Sequence, residues 1–180
     1  MVKDGLILGA MCLLCYAALH DVIARTVPNW LSGCVLLLGV AVRIADHSLR
    51  GAAVIAGITF IVLFAIWFFG VMGGGDVKLW AATVLLIPPQ WQAELMFFLH
   101  VLLIGGALGV VYLALWRPVS KLRAVRSGWR RVGPVARSQN FVSRVWRAEM
   151  WRIARKGPLP YAVAISAGAI SSLVPFSIQA

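Results

Sequence analysis

From Gly51 to Val71 the chain carries no charged residue, and a helix of that length spans the roughly 30 Å hydrocarbon core of a bilayer. Further apolar runs extend from about Gly5 to Leu19, Trp30 to Ile44, Ala93 to Trp116 and Leu159 to Phe176, with a shorter one from Val77 to Ile87. With 61% hydrophobic and 13% charged residues, the composition lies far from that of soluble domains, about a quarter of whose residues are charged. The pattern predicts an all-α integral membrane protein, a six-transmembrane-helix bundle forming a single domain over residues 1–180. A removable signal peptide is the poorer reading of residues 1–20, because no clear small-residue cleavage pattern follows and the next apolar run begins almost at once.

The fourth run is short: at 1.5 Å per residue it covers only about 17 Å before Pro88 and Pro89. Either Asp76, just ahead of it, enters the bilayer, or this helix sits where protein lines it. Both options keep the irregular "GGGD" backbone away from lipid, where unpaired amides are not tolerated.

Charge fixes the expected topology. Residues 117–156 hold twelve Lys/Arg and one acid, Glu149, which by itself equals the net charge of +11 of the whole chain. Short basic loops stay in the cytoplasm, so this loop between helices 5 and 6 is assigned there. The N-terminus then lies outside. The connections "HDVIARTVPN" and "GGGDVK" face the cytoplasm, together with Asp21 and Asp76, while Lys3, Asp4, Arg43, Asp46, Arg50 and Glu94 lie outside. Within the loop, Val142, Trp146, Met150 and Ile153 recur at helical spacing opposite Arg144, Arg147 and Arg155. That reads as an interfacial helix on anionic membrane lipids. Nucleic-acid binding is the weaker reading, since positive-inside anchoring already accounts for the charge. Cys12, Cys15 and Cys34 fall within apolar runs with no second Cys pair or His cluster, so they read as small packing residues and no metal or cofactor is expected.

Taken singly, each cytoplasmic aspartate has an ordinary explanation. Asp76 suits a helix N-terminus, and Asp21 has Arg25 four residues on. As a pair they offer more. Two carboxylates brought together in a poorly hydrated site share a proton; the ionised member can take a proton from water while the protonated member polarises a carbonyl, both halves of peptide hydrolysis. Glycines beside Asp76 permit close approach by an extended substrate strand.

"GGGDVKL", from Gly73 to Leu79, resembles the GxGD motif of intramembrane aspartic proteases, and with its Lys resembles the type IV prepilin leader peptidases. "DVIARTVPNW" is similar to that family's other signature, here Asp21, Arg25, Pro28 and Asn29, and "LPYAVAISAGA" to the stretch that opens its last helix. The resemblance implies a catalytic dyad of Asp21 and Asp76, with Gly73, Gly75, Lys78, Arg25, Pro28 and Asn29 as substrate-binding or structural support. It further implies an aspartic endopeptidase of the bacterial inner membrane that removes the short basic leader of prepilins or pseudopilins at the cytoplasmic face, usually after a glycine. The connection from Asp21 to Trp30 is too short for the Cys-rich zinc insertion of bifunctional members, which argues against N-methyltransferase activity and for the peptidase-only branch serving Flp/Tad-type pili. The Arg-rich loop is less usual there and reads as lipid anchoring or contact with pilus-assembly machinery.

Lys78 is two positions from Asp76, about 200° around a helix, so its simpler role is that of an interface cation. Arg25 is equally a candidate to orient Asp21 or to bind substrate backbone. His20 reads as an interface residue, and His100 as one that finds a polar group on a neighbouring helix. The reading from a different class is a small ion-coupled membrane transporter in which both acids bind a cation beside a broken helix; the chain shows no convincing internal repeat to support it.

Overall fold

A computed structural model gives the fold for residues 2–70, 72–128 and 159–178, with the side chains of 117, 119–128 and 175–178 outside the description. The described residues form helices and no strands: α1 (Val2–Ala24), α2 (Asn29–Ala45), α3 (Leu49–Phe68), α4 (Gly74–Val84), α5 (Trp91–Gly128) and α6 (Tyr161–Ile178). Two compact units result, Met1–Gly105 with Pro160–Ala180, and Gly106–Leu159. The expected interfacial helix within 140–156 lies outside the described residues. α5 runs past Trp116, through Pro118, to Gly128. The first part of the basic segment is therefore helical where a loop was expected.

Among the described residues, three helices are long and apolar enough to cross a membrane: α1, α3 and the Trp91–Trp116 part of α5. α2 and the apolar part of α6, Tyr161–Val174, are shorter. α4 has only 11 residues, yet it is the centre of the first unit. It packs on α2, α3 and α6, and Val77, Leu79, Trp80, Ala82, Thr83 and Val84 are buried around nearly its whole circumference. Helical residues apolar on every side belong inside a bundle, and α4 is shielded by its neighbours where its length could not span lipid. α3 is the converse, with only Ala52 and Leu63 buried and Ile58, Ile61 and Phe68 exposed. Exposed apolar residues on this scale suit a hydrocarbon solvent.

Two glycines allow close helix crossings. A Cβ on Gly39 of α2 would stand 2.7 Å from the Leu85 Cβ at the end of α4, and one on Gly168 of α6 would stand 3.0 Å from the Val101 backbone nitrogen of α5. Small residues at such crossings let helix backbones approach in membranes. Cys12 and Cys15 do not share in the packing: both are exposed, and Cys34 is half-buried. His100 meets a neighbouring helix as expected, its Nδ1–H donating to Ser172 Oγ at 3.0 Å, and that hydroxyl donates in turn to the Gly168 carbonyl at 2.9 Å.

Opposite the Asp21 end, residues scattered in sequence assemble into a buried polar cluster. Arg43, 2% exposed, donates through Nη2 to the Leu86 carbonyl at 3.2 Å and pairs through Nη1 with Asp46 at 3.2 Å. Lys3 of α1 completes it at 3.0 Å from Asp46. A cation on the last carbonyls of a helix complements both their unmet hydrogen bonds and the helix dipole. Arg43 thus satisfies a carbonyl in the turn that follows α4, just ahead of Pro88 and Pro89.

Candidate active site

Four helix termini meet around Asp21: its own at the end of α1, and the starts of α2, α4 and α6. α1 stops at Ala24 because Arg25 takes a left-handed backbone, φ 57°, with its N–H donating to the Asp21 carbonyl at 2.8 Å. This is the left-handed cap normally given to glycine. A side-chain-bearing residue held there costs on the order of 1–3 kcal/mol and is a mark of constrained functional segments. The chain leaves α1 at Arg25, four residues after Asp21. Pro28, fixed by its ring at φ −61°, ψ 139°, ends the connection and precedes the first turn of α2. His20 straps the connection from behind, Nδ1–H donating to the Thr26 carbonyl at 2.7 Å.

Asp76 does not cap α4. Gly73 is the N-cap, in extended conformation with no side-chain hydrogen bond to the helix, and Asp76 is the third helical residue. Its carboxylate folds back over that cap: a Cβ on Gly73 would lie 3.0 Å from Asp76 Oδ2. Gly75 faces the other way, and a Cβ there would stand 3.3 Å from the Val27 Cβ and 3.5 Å from its backbone nitrogen and oxygen. The two motif glycines therefore serve the chain itself. One clears room for the Asp76 carboxyl, and the other lets the first turn of α4 lie against the connection that follows Asp21. Lys78 adds a tie between the same segments, Nζ donating to Asn29 Oδ1 at 3.1 Å. Sequence reasoning singled out both residues but missed their pairing. The signal was weak, since an amide at the start of one helix and an ammonium in the first turns of another carry no mutual spacing.

Asp21 is 5% exposed, and the Ala162 N–H in the first turn of α6 donates to its Oδ2 at 3.2 Å. The Leu159–Ala169 stretch, only supportive in the sequence, thus reaches the aspartate directly. Asp76, ahead of the apolar run and on a helix too short to cross, is half-buried. Burial and, next, the charge of Asp21 push its carboxyl up to about 7. A neighbouring like charge and burial both disfavour the ionised form of a carboxyl. Among the described residues, no group of three or more His, Cys, Asp or Glu side chains could hold a metal ion.

Of the residues expected at a site, the structure brings together Asp21, Arg25, Pro28, Asn29, Gly73, Gly75, Asp76 and Lys78, and it adds Ala162. Searches of curated proteins and of solved structures each gave no match. Residues 8–113, more than half of the chain, match the model of the type IV leader peptidase family. Both aspartate segments fall inside the matched span. The chain belongs to the type IV leader peptidase family.

Proposed function

We propose that this chain is an aspartic endopeptidase that removes the leader from prepilins or pseudopilins, with Asp21 and Asp76 as its catalytic pair. The observation that carries the reading is that the two aspartate segments, distant in sequence, lie against each other: Gly75 beside Asp76 packs on Val27 of the connection after the buried Asp21, and Lys78 bonds Asn29. One carboxylate takes a proton from water as the water oxygen bonds to the scissile carbonyl carbon, and the other carboxyl protonates the carbonyl oxygen. Collapse of the resulting gem-diol breaks the C–N bond. The first carboxyl then gives its proton to the leaving nitrogen, and the second recovers one from the gem-diol. No cofactor takes part.

The positive-inside distribution of charge supports a cytoplasmic site, an external N-terminus and six crossings in a bacterial inner membrane. It also supports anchoring of residues 117–156 on anionic lipids or pilus-assembly proteins. The short Asp21–Trp30 connection supports peptidase activity on Flp-like prepilins without N-methylation. The purified chain in lipid nanodiscs, given a synthetic prepilin of the Flp type, tests this. The expected outcome is one cut at the leader junction by the native chain and none by Asp21→Asn or Asp76→Asn. Processing undiminished in both variants, with cation-dependent thermal stabilisation lost, would overturn it in favour of an ion-binding carrier.

A further inference from the structure

The two aspartates occupy unequal surroundings. Asp21 Oδ2 accepts the Ala162 N–H at 3.2 Å across 141 residues of sequence, in a buried location. That N–H belongs to the first turn of α6, where amides have no intrahelical acceptor, and the next one, Val163 N–H, already turns to the Pro160 carbonyl at 3.2 Å. Asp76 shows the opposite: its carboxyl lies over the α carbon of Gly73. A backbone donor on a carboxylate favours the ionised form and so opposes the burial of Asp21, the more enclosed of the two, whereas desolvation with no such donor favours the neutral form.

Resting on the peptidase reading above, we propose that the Ala162 N–H divides the labour within the pair: it holds Asp21 as the ionised carboxylate that takes the proton from water, and so leaves Asp76 as the carboxylic acid that protonates the scissile carbonyl. Ala162 is then a positioning residue acting through its backbone. The arrangement also gives the Pro-Tyr-Ala start of α6 a purpose. Pro160 fixes where the helix begins, Tyr161 is the first helical residue, and the next amide is the one aimed at Asp21. The direction in which burial and Asp21 move Asp76 agrees with this division. The described titratable groups around the pair are His20 and Arg25 on the α1 side, Lys78 on α4 and Tyr161 on α6, while α2 contributes the neutral Asn29. Lys78 is engaged by Asn29 and His20 by the Thr26 carbonyl.

Infrared titration of the purified full chain from pH 5 to 9 locates the proton without requiring turnover. All variants are measured in a Glu94→Gln background, so that this other half-buried acid does not contribute: a protonated-carboxyl band that fades around pH 7 is expected with both aspartates present, absent on adding Asp76→Asn, and kept on adding Asp21→Asn with its midpoint moved to lower pH because the neighbouring charge is gone. The reverse assignment, with fading retained in Asp76→Asn and lost in Asp21→Asn, would overturn the proposal even if prepilin is cleaved. Ala162 is then replaced by its α-hydroxy counterpart, lactic acid, in cell-free synthesis, which turns the N–H into an ester oxygen without altering the side chain. The acidic limb of kcat/KM should move up by about one to two pH units, as loss of a hydrogen bond to a charged group implies, with KM little changed. An unmoved acidic limb would remove Ala162 from the proposal. Absence of cleavage by the native chain, with the infrared assignment as expected, would refute the peptidase reading instead.

Discussion

Asp76→Asn should stabilise the protein at neutral and alkaline pH while abolishing its proposed chemistry. In an unfolded chain the carboxyl titrates near its ordinary value of 3.8, and in the fold it is pushed up to about 7. Between those values the folded state holds a proton that the unfolded chain has released. Stability therefore falls as pH rises through this window, being fully present below about pH 4 and lost above about pH 7. A separation of about three pH units is worth at most about 4 kcal/mol, at 1.36 kcal/mol per unit. Asn cannot ionise and is close to the protonated carboxyl in shape. The variant should thus match the native chain at pH 4 and exceed it at pH 8. For a chain of this size, 1 kcal/mol corresponds to about 2–4 °C, and solvent access to a half-buried group reduces the full amount, so roughly 5–10 °C is expected. Thermal unfolding followed by the fluorescence of the eight tryptophans, in detergent at each pH, measures the difference directly; other carboxyls titrate equally in both proteins and cancel. Parallel curves for the two proteins from pH 4 to 8 would refute the claim that Asp76 is desolvated beside a second charge.

Lys78→Met and Asn29→Ala should each cost about 1 kcal/mol or less in stability, and together no more than either alone, because both remove one exposed hydrogen bond; chemical denaturation of the two singles and the double variant tests that. Gly39→Val should destabilise by about 1–3 kcal/mol, since even its Cβ would overlap Leu85, whereas Gly57→Ala, with nothing near its would-be Cβ, should leave the melting temperature within a few degrees. Arg43→Met should cost about 1–3 kcal/mol by leaving the Leu86 carbonyl without its donor, while Lys3 still pairs with Asp46, and the loss should show as a lower melting temperature in nanodiscs.

Much of this protein is legible in its sequence because bilayer physics is simple. Apolar runs mark the helices, and counting crossings from the basic segment put Lys3, Arg43 and Asp46 on one side and Asp21 and Asp76 on the other; both groupings recur as neighbours in the fold. The shortness of the fourth run likewise foretold a helix lined by protein. What periodicity could not convey was the use of individual backbone atoms. The "GGGD" glycines read as room for substrate, yet their missing Cβ atoms are needed first by Asp76 and Val27. The Ala162 amide carries no side-chain signal at all, and Arg25 gives no hint of a left-handed backbone. The Cys residues read as packing residues because they lie in apolar runs with no second Cys pair or His cluster, but in a membrane the outward face is equally apolar, so hydropathy does not distinguish inside from outside.

Intact-mass spectrometry of an Flp-type prepilin co-expressed with the native chain, with Asp21→Asn and with Asp76→Asn decides most directly whether the two aspartates form a peptidase site. The expected result is a mature pilin lacking its leader and carrying no N-methyl group with the native chain, and full-length prepilin with either variant. Leader removal at the native rate by either variant would contradict it.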